Sequence, residues 1–244
     1  IRLMAAIYME SEEYGCDLRT ETGWREVMAR YWGNTSLVDR SVANILGTLD
    51  ECGLAEDTIV VFTSDHGEQM GDHGILGKTV MYEESVRVPL LLRAPMLDAA
   101  PCTIGGNFSH IDLVPTLLDL LEVPIPDHLQ GASRVPVLRG EADLADNDVF
   151  IEWNGADGHP PASIGEAEIN RSMAQPLRTV ISAERWKLNL YGHGPGEFYD
   201  LNADPHEREN LFDRPQHRER IDDLVARLLE WQQETGDQVQ LPLS

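Results

Sequence analysis

The stretch from Thr58 to Lys78, TIVVFTSDHGEQMGDHGILGK, constrains this chain more than any other. Ile59, Val60, Val61 and Phe62 form a short, continuous apolar run rich in β-branched residues, the pattern of a parallel strand buried on both faces. The run stops at Asp65-His66-Gly67. In open α/β sheets ligands bind just past the carboxyl ends of the strands, which is where this pair falls. Adjacent residues inside a strand point to opposite faces and could not grip one ion. Beyond the strand end the backbone can turn, and Gly67, lacking a Cβ, eases that turn. Asp65 and His66 can then converge on a divalent metal. Glycines recur at Gly71, Gly74 and Gly77 among polar groups, so Glu68 to Lys78 reads as a loop. An isolated Asp-His-Gly is more often a plain turn than a metal site, and the longer string decides the matter.

That string, Asp65-His66-Gly67-Glu68-x-x-Gly71-Asp72-His73-Gly74-x-x-Gly77-Lys78 behind an apolar strand, closely resembles the sulfatase family of the alkaline-phosphatase superfamily. The resemblance implies that Asp65 and His66 bind the active-site metal and that Lys78 contacts the sulfate or phosphate oxygens. Lys78 comes twelve positions after His66, as in sulfatases and phosphonate monoester hydrolases. It implies an α/β fold: part of an alkaline-phosphatase-like three-layer sandwich, with a small C-terminal antiparallel sheet plus helix. Residues 1–148 would be the carboxyl-terminal part of the catalytic domain and residues 149–244 a small α+β subdomain.

The formal net charge of −23, from 42 acidic and 19 basic residues, makes nucleic acid a poor partner, because binding it needs clustered Lys and Arg. The same field repels an anionic ester, so the site must supply local positive charge through a metal and Lys78. No apolar run approaches the length that crosses a bilayer, and no membrane partner is expected. Beginning at Ile1 with no leader-like stretch, the chain reads as a piece or a processed product. Cys16, Cys52 and Cys102 are too few and scattered for a disulfide framework; they read as free thiols, a weak lean toward the cytoplasm. The oligomeric state is not legible.

Along the chain, a long helix is predicted from about Trp24, with Val27, Tyr31, Thr35, Val38, Val42, Ile45, Leu46 and Leu49 as one core-facing stripe and Gly53 as its cap. Leu90 to Arg93 reads as a second buried strand, and Glu83 with Arg87 as a local i, i+4 pair. Asp112 is the expected N-cap of a helix with Pro115 at N3. Residues 122 to 148 read as connector. Strands are predicted at Val149 to Trp153, Arg178 to Ser182, Trp186 to Tyr191 and Glu197 to Leu201, in an antiparallel meander, with a polar surface loop from Asn154 to Gln175. A final helix after Asp213 and Pro215 carries Ile221, Leu224, Val225, Leu228 and Trp231 on one face and ends at Gly236. Tyr199-Asp200-Leu201-x-x-Asp204-Pro205-x-Glu207-x-x-Asn210-Leu211 resembles the family's C-terminal signature, which is structural there.

Sulfatases attack with a hydrated formylglycine made from Cys or Ser in Cys/Ser-x-Pro-x-Arg. Cys16 is followed by Asp17-Leu18-Arg19-Thr20, with Leu where Pro is needed, so it is not that nucleophile. The resemblance covers about residues 24 to 244 and only the carboxyl-terminal part of the family; an amino-terminal segment of the same protein is the implied partner. Carboxylates favour calcium or magnesium, and an imidazole at His66 also admits manganese or zinc. Family precedent favours calcium. Three readings stand: a sulfatase acting on a small sulfate ester, a phosphonate monoester or phosphodiester hydrolase with the same site, and a truncated non-catalytic domain. Alone, the chain is expected to bind metal weakly and turn nothing over.

Overall fold

A computed structural model of the protein describes residues 15–97, 100–155 and 174–242. The described residues fall into two compact units. The first lies within Ile1–Val80 and Glu84–Asp98, the second within Met81–Glu83, Ala99–Ala156 and Met173–Ser244.

The first unit opens on helix α1, Glu21–Glu51. Thr20 caps it, its Oγ1 accepting from the Gly23 amide at 3.1 Å. Gly23 is required by space: a Cβ there would sit 2.0 Å from the Asp17 carbonyl oxygen. The helix ends as a Schellman turn. Gly53 takes φ +68°, its amide reaching the Asp50 carbonyl, while Leu54 N–H reaches the Leu49 carbonyl. Only part of the expected stripe is covered. Val27, Val42, Leu46 and Leu49 are half-buried, but Tyr31, Val38 and Ile45 are exposed. Gly33 and Gly47 have nothing within 4 Å of a Cβ position. Gly33→Ala or Gly47→Ala should therefore raise stability by about 0.5–1 kcal/mol each in denaturant unfolding.

Strand β1, Val60–Thr63, pairs antiparallel with β2, Leu90–Arg93, in the register Val60↔Arg93 to Thr63↔Leu90. The predicted parallel strand buried on both faces is thus corrected. Phe62 is 39% and Leu91 61% exposed, so β2 is not the fully buried strand expected either. An apolar run records that a strand can be covered; it carries no information on partner or direction.

The second unit holds four antiparallel strands in chain order: β3 Val149–Trp153, β4 Leu177–Ile181, β5 Trp186–Tyr191 and β6 Glu197–Asp200. Most of the polar loop predicted between β3 and β4 lies outside the described residues. The last helix, Arg218–Thr235, lays Ile221, Leu224 and Leu228 on Val180, Leu188, Leu190 and Phe198 and stops at Gly236, φ +74°. Trp231 stacks on Phe150 at 5.4 Å and Trp186 on Phe198 at 5.2 Å. Arg178, 1% exposed, donates to both oxygens of Asp237 at 2.8 Å and to the Trp153 carbonyl, strapping the segment after the last helix to the sheet.

Three local expectations change here. Asp112 does precede a helix, Leu113–Leu120, but it makes no cap bond. Its buried carboxylate accepts instead from the Ala132 amide at 2.9 Å and from Arg134 Nε at 2.7 Å. Residues 122 to 148, expected as connector, include one short helical turn at Val135–Leu138. Glu83 turns to Lys187 Nζ, 3.1 Å away, rather than pairing locally with Arg87. Glu207 Oε1 completes the cluster at 2.8 Å from Nζ.

Candidate active site

Beyond Thr63 the chain leaves β1 and Ser64 turns it, its hydroxyl donating to the His66 carbonyl at 2.7 Å. Asp65 Oδ1 accepts from the His66 amide at 3.0 Å. That bond, more than the nearby imidazole, lowers the Asp65 carboxyl below its usual range and keeps it ionised. His66 Nδ1 lies 2.8 Å from the Gly67 carbonyl oxygen. A carbonyl can only accept, so in the neutral ring Nδ1 is the nitrogen that carries the proton and Nε2 the one that can bind a metal. Nε2 is 3.4 Å from Asp65 Oδ2. Ligands about 2.0–2.5 Å from one cation stand about 3 Å from each other, so this pair fits two sites of a divalent ion. Among the described residues no cluster of three or more His, Cys, Asp or Glu could hold a metal; Asp65 and His66 offer two ligands.

The loop from Ser64 to Lys78 is tied at several points. The Gly67 amide donates to the Ser85 carbonyl at 2.8 Å, and its Cα sits so close to that backbone that a Cβ would be 1.9 Å from the Glu84 carbonyl oxygen. Gly67 does not have a positive φ; close approach, not turning freedom, is what demands glycine there. The Gln69 amide donates to the Gly77 carbonyl at 2.9 Å, and the Gly77 amide to the Glu68 carboxylate. Gly71, Gly74 and Gly77 take positive φ, as do Met70, His73 and Thr79. His73 sits in a 3₁₀ turn, Asp72–Gly74. Ile75 and Leu76 are buried.

Lys78 follows at once, exposed, and no hydrogen bond or ion pair joins it to Asp65 or His66. The Gln69–Gly77 stitch brings the ends of this stretch together, and its ammonium group is available to an external anion. Glu68, Gln69 and Ser85 carry no signal in the sequence, since polar loop residues whose partners lie 9 to 16 positions away leave no periodic pattern. Cys16 precedes residues with other tasks: Arg19 binds Asp17, Leu18 is buried and Thr20 caps α1.

The family model described as N-sulphoglucosamine sulphohydrolase, C-terminal, matches residues 71–234, and the sulfatase model matches residues 8–123. The multifunctional alkaline phosphatase superfamily protein PehA of Trinickia caryophylli is 32% identical over 87% of this chain and 41% of its own length. N-acetylglucosamine-6-O-sulfatase of Bacteroides thetaiotaomicron is 31% identical over 88% of this chain and 37% of its own length. The chain thus spans about two fifths of these relatives. A solved structure in complex with its substrate D-glucosamine-2-N,6-O-disulfate has a TM-score of 0.79 at 27% identity, covering 91% of this chain and 44% of its own. The phosphonate monoester hydrolase of Agrobacterium radiobacter has a TM-score of 0.72 at 29% identity, covering 88% and 43%. These matches share the α/β alkaline-phosphatase-like fold class read from the sequence. The chain belongs to the sulfatase family of the alkaline-phosphatase superfamily.

Proposed function

We propose that this chain supplies one side of the site of a divalent-metal-dependent sulfate ester hydrolase. The observation that carries the reading is the 3.4 Å approach of the Asp65 carboxylate to His66 Nε2, at the head of the loop that ends in Lys78. Asp65 and His66 would hold the cation, calcium by family precedent and manganese by the imidazole's chemistry. When bound, that ion supplies Lewis-acid polarisation of the ester oxygens. Lys78 neutralises negative charge on the transferring group, and such a fixed cation favours the more highly charged transition state over the ground state. Its local charge also offsets the repulsion expected from the chain's net −23.

The nucleophile and the other metal ligands come from an amino-terminal segment of the same protein. Supporting this are the two-ligand site, the length of the relatives and the exposed apolar side chains of the first unit, among them Trp32 at 69%, Ile45 at 68% and Leu91 at 61%. Without that segment the chain is inactive. The sulfatase relatives support a small sulfate ester as substrate. A phosphonate monoester or phosphodiester hydrolase with the same site is the second reading, favoured by the Agrobacterium neighbour.

The complete gene product, stripped with a chelator and reloaded with calcium or manganese, should hydrolyse a chromogenic aryl sulfate faster than an aryl phosphonate monoester. A wide preference for the phosphonate would replace the first reading by the second. Lys78→Met should lower kcat/KM for the sulfate by about 100-fold, in line with removal of one charge-stabilising group from a transition state. Unchanged kcat/KM would remove Lys78 from the site.

A further inference from the structure

The loop that carries the three candidate residues has an unusual interior. Gln69 is fully buried, although it lies in neither helix nor strand. Its Nε2 donates to Ser85 Oγ at 2.8 Å, its amide donates to the Gly77 carbonyl at 2.9 Å, and its carbonyl accepts from Asp72 N–H at 2.9 Å. Ser85, 3% exposed, accepts the Gly67 amide on its own carbonyl at 2.8 Å. Two side chains therefore join the places from which the chemistry projects: Gly67, directly after Asp65 and His66, and Gly77, directly before Lys78. The Oε1 atom of Gln69 is buried with no hydrogen-bond partner among the described residues. Burying an unpaired amide oxygen is unfavourable, and leucine, of similar volume, would avoid it. What leucine cannot do is donate to Ser85.

We propose that Gln69, acting through Ser85, is a positioning residue: it sets the separation between the Asp65–His66 end of the loop and its Lys78 end. The proposal rests on the assignment of those three residues above. Three features make Gln69 suited to the task. It is held at three atoms, its backbone N and O and its Nε2, in a segment that forms neither helix nor strand at Gln69 and takes positive φ at Met70, Gly71, His73, Gly74 and Gly77. Its two backbone bonds lie across the loop, toward Gly77 and Asp72, whereas its side-chain bond reaches the separate segment at Ser85. Loss of the side-chain bond leaves the Gly67–Ser85 backbone bond to tie the loop to that segment, loosening the loop without unmaking the turn itself.

The test uses the complete gene product and its Gln69→Leu and Ser85→Ala variants, the second being the smaller change should the first fail to fold. Amide hydrogen exchange at Gly67 and Gly77 is expected to quicken at least tenfold in both variants, with β4 to β6 unchanged. Activity on the aryl sulfate is expected to fall about 10- to 100-fold in kcat with KM little altered, because misplacement by about 1 Å affects the transition state more than encounter. A structural role alone would lower the melting temperature and leave kcat per folded molecule intact; that result overturns the proposal. So does unchanged exchange at Gly67 and Gly77. If the unmodified protein hydrolyses neither sulfate nor phosphonate esters, the assignment of function fails, and the exchange rates still decide whether Gln69 sets the loop.

Discussion

Replacing Lys187 by methionine is expected to cost about 3–5 kcal/mol of folding free energy near pH 8 and clearly less near pH 5, measured by denaturant unfolding. The ammonium group is fully buried between Glu207 Oε1 at 2.8 Å and Glu83 Oε1 at 3.1 Å. Methionine fills most of the volume but leaves two carboxyl groups with no buried cation between them. Arg185, 3.5 Å from Glu83 and partly exposed, offsets little of this. Protons can replace the missing cation, which is why acid softens the loss.

The pH dependence has its own cause. Burial pushes the Glu207 carboxyl up from 4.5 to about 7 even with Lys187 beside it. A carboxyl whose folded value lies above its unfolded value binds extra protons in the native state between those limits. Stability from this group is therefore full below about pH 4.5 and declines as pH rises to about 7, by on the order of 3 kcal/mol. Glu207→Gln should remove that decline while its amide oxygen still accepts the Glu83 N–H. A glutamine variant whose curve runs parallel to the parent over this range, or a Lys187→Met loss equal at both pH values, contradicts the account.

Gly67→Ala is the second large effect. The added methyl would lie 1.9 Å from a backbone carbonyl oxygen, and no side-chain rotation can relieve a clash with main chain. The Glu84–Ser85 backbone must retreat, breaking the 2.8 Å bond from the Gly67 amide. Overpacking and an unpaired amide together cost about 3 kcal/mol. Calcium or manganese affinity should fall in parallel, since Asp65 and His66 move with Gly67. A crystal structure of the variant with Gly67's neighbours in place and metal affinity unchanged would refute this seat. The opposite response expected of Gly33 and Gly47 shows how little the residue name alone says.

How much was legible in the sequence follows from the range of the interactions. The four-stranded meander and the last helix were readable because their cues are local: β-branched runs broken by turn residues, and Ile221, Leu224 and Leu228 at helical spacing. The direction of β1 was not, because a four-residue apolar run is the same in either pairing. Only near neighbours are visible along a chain, so the sequence offers Arg87 to Glu83, whereas its partner Lys187 lies 104 positions away. The motif named Asp65, His66 and Lys78 as candidates, but not the buried amide that ties their loop together. Gly67 was legible as a glycine that matters, for the wrong physical reason.

The strap of Arg178 and Asp237 answers acid in the opposite sense to Glu207. Hydrogen bonds from the buried guanidinium hold the Asp237 carboxyl down to about 2, so its contribution is complete above about pH 3.8 and is lost only as pH falls through that lower value. Within one unit, then, the anion nearest Lys187 gives up its charge around neutrality, while the anion that Arg178 grips after the last helix keeps its own into strongly acid solution.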